Sequence, residues 1–250
     1  MIRPAAAALA AALALAGCAS SAPSPPITSP GPLQASIHAR AVARVLIDHV
    51  KAGDLFEDVS LGDTPRVRHY GSGLVCRFSP EMTSQGLQIY ESGLPRGHDV
   101  GCQLPTDAPG QFHTLYATRY GAALTLSEAM RSAVGMVRNA YPSLKPYEGP
   151  AAAVGIQRDD LRPPPASETA RFVIELNGRP HLSRVSVAVV DGWVIKQRFT
   201  TPVEDNVEQT AVMSDLLAGL VWSETLLRFS NGDALDRQAP APPAEPTTRT

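Results

Sequence analysis

The sequence predicts an α+β protein in which antiparallel sheets are each packed by a helix, behind an N-terminal amphipathic helix. Apolar residues recur at helical spacing in separate segments, and groups of short alternating runs lie between them. The chain has 250 residues, of which 44% are hydrophobic and 18% are charged. This composition is typical of a globular protein, and roughly 200 residues remain for the folded part once the terminal segments are set aside.

The first predicted element is an amphipathic helix from Gln34 to Ala52, which ends near Gly53. Its apolar residues share one stripe, while most of its charged and histidine side chains fall elsewhere. The stripe consists of Ala39, Val42, Ala43, Leu46 and Val50. We therefore expect this helix to bury one face.

Three or four antiparallel strands are predicted next, between Arg66 and Tyr120. Clusters of Gly, Pro, Ser and Asp separate the β-rich runs, which is the pattern of a meander. The runs are Val67–Phe78, Leu87–Tyr90, Val100–Leu104 and Phe112–Tyr120. Thr125 and Glu128 then match a capping box, which begins a predicted helix that ends before Pro142.

The second half contains a similar order of elements. The short apolar run 151–156, bracketed by prolines, is predicted to be an edge strand. A strand follows from Phe172 to Leu176, and Asn177-Gly178 supplies a turn. Asp191-Gly192 is the turn of a further hairpin, between a valine-rich run and the run that starts at Trp193.

A long helix is predicted from about Val203 to Arg228. Thr201-Pro202-Val203-Glu204 matches a capping box with proline at the first helical position. The apolar run of this helix raises the question of a membrane span. Asp215 and Glu224 interrupt the run, which favours a buried helix or a partner interface.

The predicted folded domain spans residues 34–230. Both halves end in strands, a Thr-x-x-Glu cap and a helix, so we consider two similar units, 34–150 and 151–230. Duplication and convergence both remain open, since residue identity between the halves is low. Residues 231–250 lack apolar periodicity and are predicted to form a disordered tail.

The N-terminal residues match an export signal. Arg3 is the only charge before Cys18, and residues 5–16 contain only alanine and leucine. This apolar run is too short to span a bilayer, which needs about 20 residues. Leu15-Ala16-Gly17-Cys18 resembles the lipobox of bacterial lipoproteins.

The resemblance implies that residues 1–17 are a signal peptide, cleaved before Cys18. It also implies that the Cys18 sulfur carries diacylglycerol, so that membrane lipid is the first partner of the mature protein. Ala19 follows the cysteine where the inner-membrane retention signal has aspartate, which implies sorting to the outer membrane, on its periplasmic face. Residues 18–33 are predicted to be a flexible tether. The alternative is an ordinary secretory signal followed by a chance cysteine.

Cys76 and Cys102 are predicted to form a disulfide. An envelope location permits disulfides, and each cysteine shares a strand face with apolar neighbours two positions away. A redox or metal role is the alternative, but the sequence has no Cys-x-x-Cys motif and no clustered ligand set.

Four residues are candidates for ligand binding. Arg96, His98 and Asp99 combine a guanidinium, an imidazole and a carboxylate in one loop, which suits an anion or a carbohydrate. Trp193 follows a hairpin turn, where an aromatic side chain can line a pocket. The alternative for the loop is an ordinary polar turn, and the alternative for Trp193 is the core.

No catalytic set, metal site or cofactor motif is predicted. Ser72 lies near His69 but lacks the spacing of a nucleophile elbow, and none of the six histidines has a metal-binding spacing. The net charge is −2, without a basic block, which argues against nucleic-acid binding.

The sequence therefore predicts a non-enzymatic lipoprotein that binds or supports an envelope component, such as another protein or peptidoglycan. The runner-up is an envelope hydrolase, because catalytic groups need only meet in space. A third class, small-ligand carriage, requires a sizeable apolar cavity.

Overall fold

The structure, a computed structural model, describes residues 31–236 except Met82, Thr83 and Asp107. It confirms the α+β class, with helices and two antiparallel sheets. The helices are α1 (Pro32–His49), α2 (Leu126–Ala140) and α3 (Val207–Asn231). The predicted signal peptide, Cys18 and the tether up to Pro30 lie outside the described residues, while Pro32 and Leu33 belong to α1 rather than to a tether.

Three short strands form a small sheet and seven strands form a large one. The small sheet contains β1 (Phe56–Asp58), β2 (Arg66–His69) and β3 (Val75–Arg77). The large sheet contains β4 (Gly86–Ile89), β5 (Asp99–Leu104), β6 (Phe112–Thr118), β7 (Lys145–Pro146), β8 (Ser167–Leu176), β9 (Arg179–Val190) and β10 (Trp193–Pro202). Its order is β4-β5-β6-β10-β9-β8-β7.

The two halves of the chain meet at the pairing of β6 with β10. Leu115 lies opposite Gln197, and the register runs from Thr118↔Val194 to Phe112↔Thr200. Segments 34–150 and 151–230 therefore share one continuous sheet. The boundary between them does not separate two sheets.

The large sheet buries both faces, each against different elements. On the face that we call the α3 face, α1, the small sheet and α3 pack over sheet residues such as Val100 and Ile195, and Trp222 of α3 belongs to the same core. On the opposite face, the α2 face, Ala133 and Val137 of α2 pack on valines of β9. Helix α2 contacts mainly β8 and β9, which leaves the part of this face on β5, β6 and β10 more open.

Both predicted two-residue turns are present. Asn177 and Gly178 have φ of 51° and 73°, and Asp191 and Gly192 have φ of 50° and 79°. Positive φ at both central residues is the geometry of a type I′ turn, which matches the twist of the flanking strands. These turns fix the register of the long hairpins β8–β9 and β9–β10.

The predicted start of the last helix is wrong. Thr201 and Pro202 belong to β10, where they pair with Leu182 and His181 of β9. Helix α3 begins at Val207, and the side chain of Asn206 accepts hydrogen bonds from the backbone N–H groups of Glu208 and Gln209. Strand pairing extends the hairpin into the Thr-x-x-Glu pattern, through Thr201 and Pro202, so the helix uses a later cap.

We expect Asn206→Ala to lower the free energy of unfolding by about 1 kcal/mol, because it removes the acceptor for the first orphan N–H groups of α3. Urea denaturation followed by circular dichroism measures this loss. Thr201→Ser, which keeps a hydroxyl in the strand, is the matched control. An equal loss in both variants would contradict the observed start of α3.

Two further boundaries differ from the sequence prediction. Residues 151–156 are not a strand but an extended segment beside α3, in which Ala152 N donates to Asp215 and Ile156 N donates to Ser223. The predicted tail begins at residue 231, whereas a 3-10 helix spans Gly232–Asp236. The rest of that tail lies outside the described residues.

A buried ion-pair network fixes α3 to the α3 face. The Asp215 side chain is 1% exposed and accepts a hydrogen bond of 2.8 Å from Arg171 Nε. Arg184 Nε lies 3.4 Å from the same carboxylate oxygen. Burial lowers the pKa of Arg184 to about 10, and the charge of Asp215 opposes that shift. The carboxylate therefore compensates a guanidinium that has lost its water.

Helix α3 with the following turn, Val207–Asp236, is long and apolar enough to cross a membrane by length and composition, and half of its apolar window is buried within the protein. The exposed apolar residues of α3 form one stripe at helical spacing. They are Met213, Leu216, Leu217 and Leu220. The buried Asp215 and its arginine partners identify α3 as a core helix with one exposed apolar side.

The predicted disulfide between Cys76 and Cys102 is confirmed, with an S–S distance of 2.01 Å. Cys76 lies on β3 of the small sheet, and Cys102 lies on β5 of the large sheet. The bond therefore joins the two sheets covalently within the core of the α3 face.

Candidate functional site

The open part of the α2 face contains two adjoining cavities, which together we call the sheet-face groove. The first has a volume of about 230 Å³ and the second a volume of about 340 Å³. Tyr116 and Arg198 line both. The first cavity is also lined by Tyr90, Asp99, Met136 and Lys196. Phenols, cations and one carboxylate thus meet beside an apolar helix surface.

Lys196 is the central side chain of the groove. It lies on β10, opposite Tyr116 of β6, and is only 9% exposed. Its Nζ lies 5.5 Å from the ring centroid of Tyr116 and 5.9 Å from that of Tyr120. Among the described residues, no carboxylate lies within ion-pair distance of this ammonium. Aromatic faces therefore hold the cation, without a direct negative partner.

Arg198 is the second cation of the groove, two residues further along β10. Its guanidinium carbon lies 5.0 Å from the ring centroid of Tyr141, which follows α2. The hydrogen-bonding edge of the guanidinium has no ion-pair partner among the residues that the structure describes. Stacking on Tyr141 restricts Arg198 and leaves its donors free for a ligand.

Gly101 leaves room for the rings of Tyr90 and Tyr116 above the sheet. A Cβ at this position would lie 2.9 Å from the carbonyl oxygen of Leu115 and 3.1 Å from the ring of Tyr90. The absence of a side chain lets Tyr90 lie over the sheet, with its ring centroid 5.8 Å from that of Tyr116. The Tyr90 hydroxyl donates a hydrogen bond to Gln88.

The electrostatics of the groove favour an anion. Burial lowers the pKa of Lys196, and the charge of Asp99 offsets only part of that shift. Burial also raises the pKa of the Tyr90 and Tyr120 phenols, so both remain protonated at neutral pH. Asp99 Oδ1 already accepts a hydrogen bond of 2.8 Å from Thr118. A negative group on a ligand would therefore stabilise the charged form of Lys196.

The predicted ligand-binding residues do not converge. Asp99 lies in the sheet-face groove, but Trp193 is buried on the opposite face, with its ring centroid 6.0 Å from that of His98. Arg96 forms an ion pair with Asp54 and donates a hydrogen bond of 3.0 Å to the Lys51 carbonyl. The loop thus has structural partners for Arg96 and His98, and ligand binding by these residues stays a prediction.

His69 and Ser72 meet within one turn. His69 Nδ1 lies 2.9 Å from Ser72 Oγ and accepts a 3.2 Å hydrogen bond from Ser72 N. Burial lowers the pKa of His69 to about 4, with a smaller effect from His98. Neither residue lines the sheet-face groove. The contact closes the turn between β2 and β3.

Sequence reasoning missed most of the groove. Lys196 and Arg198 alternate with Ile195 and Gln197 along β10, so their shared face was visible as a strand pattern. Their aromatic neighbours Tyr90 and Tyr116 follow from the pairing of distant strands, which no local pattern encodes. Within the described residues, no group of three or more His, Cys, Asp or Glu side chains is placed to hold a metal ion.

No protein-family model and no curated protein matches the chain. Two solved structures show a low similarity to it. PA94 of Pseudomonas aeruginosa, a protein of unknown function, is 11% identical with a TM-score of 0.31, covering 55% of this chain and 82% of its own. LpqN of Mycobacterium tuberculosis, involved in cell envelope biogenesis, is 15% identical with a TM-score of 0.27, covering 54% of this chain and 80% of its own. TM-scores at this level carry no argument about function.

Proposed function

We propose that the protein is an envelope lipoprotein, anchored through Cys18, that binds an anionic ligand with an apolar or ring-shaped body in the sheet-face groove. The observation that carries this proposal is Lys196, a buried cation on aromatic faces without a direct carboxylate partner among the described residues. Binding, rather than catalysis, is the activity that this arrangement supports.

The chemistry of the ligand follows from the lining. Lys196 and Arg198 carry two positive charges against the single carboxylate of Asp99, so the groove has a net positive charge. Tyr90 and Tyr116 offer ring faces, and Met136 offers an apolar contact from α2. Such a surface pairs an acidic group with the cations and stacks a ring or sugar face on the phenols.

The envelope location rests on the resemblance of Leu15-Ala16-Gly17-Cys18 to a lipobox. Two or three acyl chains at about 0.8 kcal/mol per buried methylene would hold the protein on a bilayer. The disulfide between Cys76 and Cys102 is consistent with an oxidising compartment. Outer-membrane sorting, with the domain on the periplasmic side, is part of the proposal.

Lys196→Met tests the groove, because methionine keeps the length and apolar stem of lysine but removes the charge. With anilinonaphthalene sulfonate as an anionic aromatic probe, we expect at least a tenfold weaker Kd, measured by fluorescence titration, since a charged hydrogen bond contributes about 1.5 to 3 kcal/mol. Asp99→Asn should tighten binding. Lys145→Met, at an exposed position on β7, is the control. Equal affinities of all variants would show that the probe does not bind in the sheet-face groove and would refute this part of the proposal.

Metabolic labelling with a palmitate analogue tests the anchor independently. The native chain should carry the label and fractionate with the outer membrane, while Cys18→Ser should lose the label. An unlabelled native chain in the soluble fraction would refute the proposed lipid anchor. The proposal of ligand binding in the sheet-face groove would not be affected.

A further inference from the structure

A third cavity lies on the α3 face, opposite the sheet-face groove. We call it the α3-face cavity; it has a volume of about 330 Å³ and lies between the small sheet, the ends of β5 and β6, and α3. Its walls combine apolar side chains with polar ones, among them Arg77, Glu224 and Arg228. The apolar members are Val75, Phe78, Leu104, Pro105, Leu115 and Val221. Apolar walls with convergent polar groups are a common form of small-molecule site.

The imidazole of His113 is one of the polar groups that line this cavity. His113 lies on β6 and is buried, with only 5% of the residue exposed. The Nε2 atom lies 2.9 Å from Gln197 Nε2. Among the described residues, Nδ1 has no hydrogen-bond partner. One ring nitrogen is therefore bound to the protein, and the other is available to a molecule in the cavity.

A relay of hydrogen bonds fixes which nitrogen carries the proton. Arg184 Nη1 donates to Gln197 Oε1, so the oxygen of the Gln197 amide faces Arg184. The amide nitrogen of Gln197 then donates to the Ala218 carbonyl at 2.8 Å and faces His113 Nε2. Because an amide nitrogen only donates, His113 Nε2 must accept. The ring proton therefore resides on Nδ1.

The imidazole is neutral at physiological pH. Burial, with a smaller contribution from the Arg184 charge, lowers the pKa of His113 to about 4. The imidazole therefore presents a neutral N–H donor of fixed tautomer to the cavity. A ligand acceptor oxygen would satisfy this donor without bringing an unpaired charge into an apolar space.

The charged residues at the cavity already have partners. Arg77 Nη1 lies 2.6 Å from Glu224 Oε2, and Arg228 contacts Glu224 at 3.3 Å and Asp236 at 2.9 Å. Arg66 binds Asp236 at 2.6 Å. These ion pairs leave little demand for a charged ligand group, in contrast to Lys196 of the sheet-face groove.

We propose that the α3-face cavity is a second binding site, for a small, neutral and mostly apolar molecule whose single acceptor oxygen takes a hydrogen bond from His113 Nδ1. The site is separate from the sheet-face groove, since the sheet itself divides them. It stands independently of the anchor and of the anionic ligand proposed above.

Butyrophenone and butylbenzene are a matched pair of probes, with and without the acceptor oxygen. NMR titration of the full chain labelled with ¹⁵N-histidine should show the Nδ1-protonated tautomer before any probe is added. Butyrophenone should then shift the His113 Nδ1 resonance and bind about fivefold more tightly than butylbenzene, the gain expected from one neutral hydrogen bond.

Two variants separate this site from other sites. In His113→Phe the preference for the ketone should disappear, while in Lys196→Met it should persist. An Nε2-protonated His113 in the native chain, or equal binding of both probes to it, would overturn the proposal whether or not His113→Phe folds. Loss of the preference in Lys196→Met would place the probe in the sheet-face groove and would also overturn it.

Discussion

Asp215→Asn should lower the free energy of unfolding by about 3 to 5 kcal/mol, one of the largest losses for a single substitution in this chain. Asparagine keeps the shape of the side chain but removes the charge that compensates Arg171 and Arg184. Arg184 is buried between the sheet and α3, so its charge would lose its carboxylate without gaining water. Urea denaturation monitored by tryptophan fluorescence measures the loss, since Trp222 lies on α3.

Glu57→Gln is the control for this prediction. Glu57 pairs with Arg68 at 2.6 Å, but both side chains are about a third exposed. Exposed pairs contribute about 0 to 1 kcal/mol, so the control should be nearly neutral. Adding Arg184→Met to Asp215→Asn should recover part of the stability, because the uncompensated charge is then gone. A loss in Asp215→Asn no larger than that in Glu57→Gln would show that the network does not stabilise α3.

Removing the disulfide should lower the free energy of unfolding by a similar amount. The double variant Cys76→Ala and Cys102→Ala opens a loop with a sequence separation of 26. The chain-entropy relation gives about 3.5 kcal/mol for a loop of this size. We expect the midpoint of urea denaturation to fall accordingly.

Chemical reduction of the native chain provides a matched comparison, because it opens the same bond without deleting atoms. The reduced native chain and the double variant should denature at similar urea concentrations. A native chain whose midpoint does not change with reductant would show that the bond contributes nothing to stability. Proteolysis should cut first in the small sheet once the bond is open, since the cross-link that holds β3 to β5 is then gone.

The sequence predicted those elements whose signals are local. The capping box of Thr125 and Glu128, the helix α2 and the two type I′ turns depend on residues within a few positions of each other. The disulfide followed from the number of cysteines and from their apolar strand neighbours. Each of these signals agrees with the tertiary structure, so no competing interaction displaces it.

Local signals failed where long-range contacts outweighed them. Thr201 and Pro202 match a helix cap but pair with β9, and the hairpin extends through both. The apolar run 151–156 resembles an edge strand, yet its backbone N–H groups find acceptors on Asp215 and Ser223 of α3. In both segments the backbone is satisfied by partners that are remote in sequence.

The candidate site was predictable only in part. The sequence indicated Asp99 as a candidate ligand-binding residue because of its charge, and this residue lies in the sheet-face groove. Lys196 and Tyr116 acquire their roles because β6 and β10 are neighbours, and this pairing joins segments from opposite halves of the chain. A single sequence specifies which side chains share a strand face, but not which strand lies beside it.

The pairing of β6 with β10 also determines when the protein can fold. Until residues 193–202 emerge, β6 has an unpaired edge, and the sheet lacks its central connection. Contacts between such distant segments form slowly, because a long loop must close before they contribute any stability. A nascent chain could therefore complete the large sheet only after residues 193–202 have been synthesised.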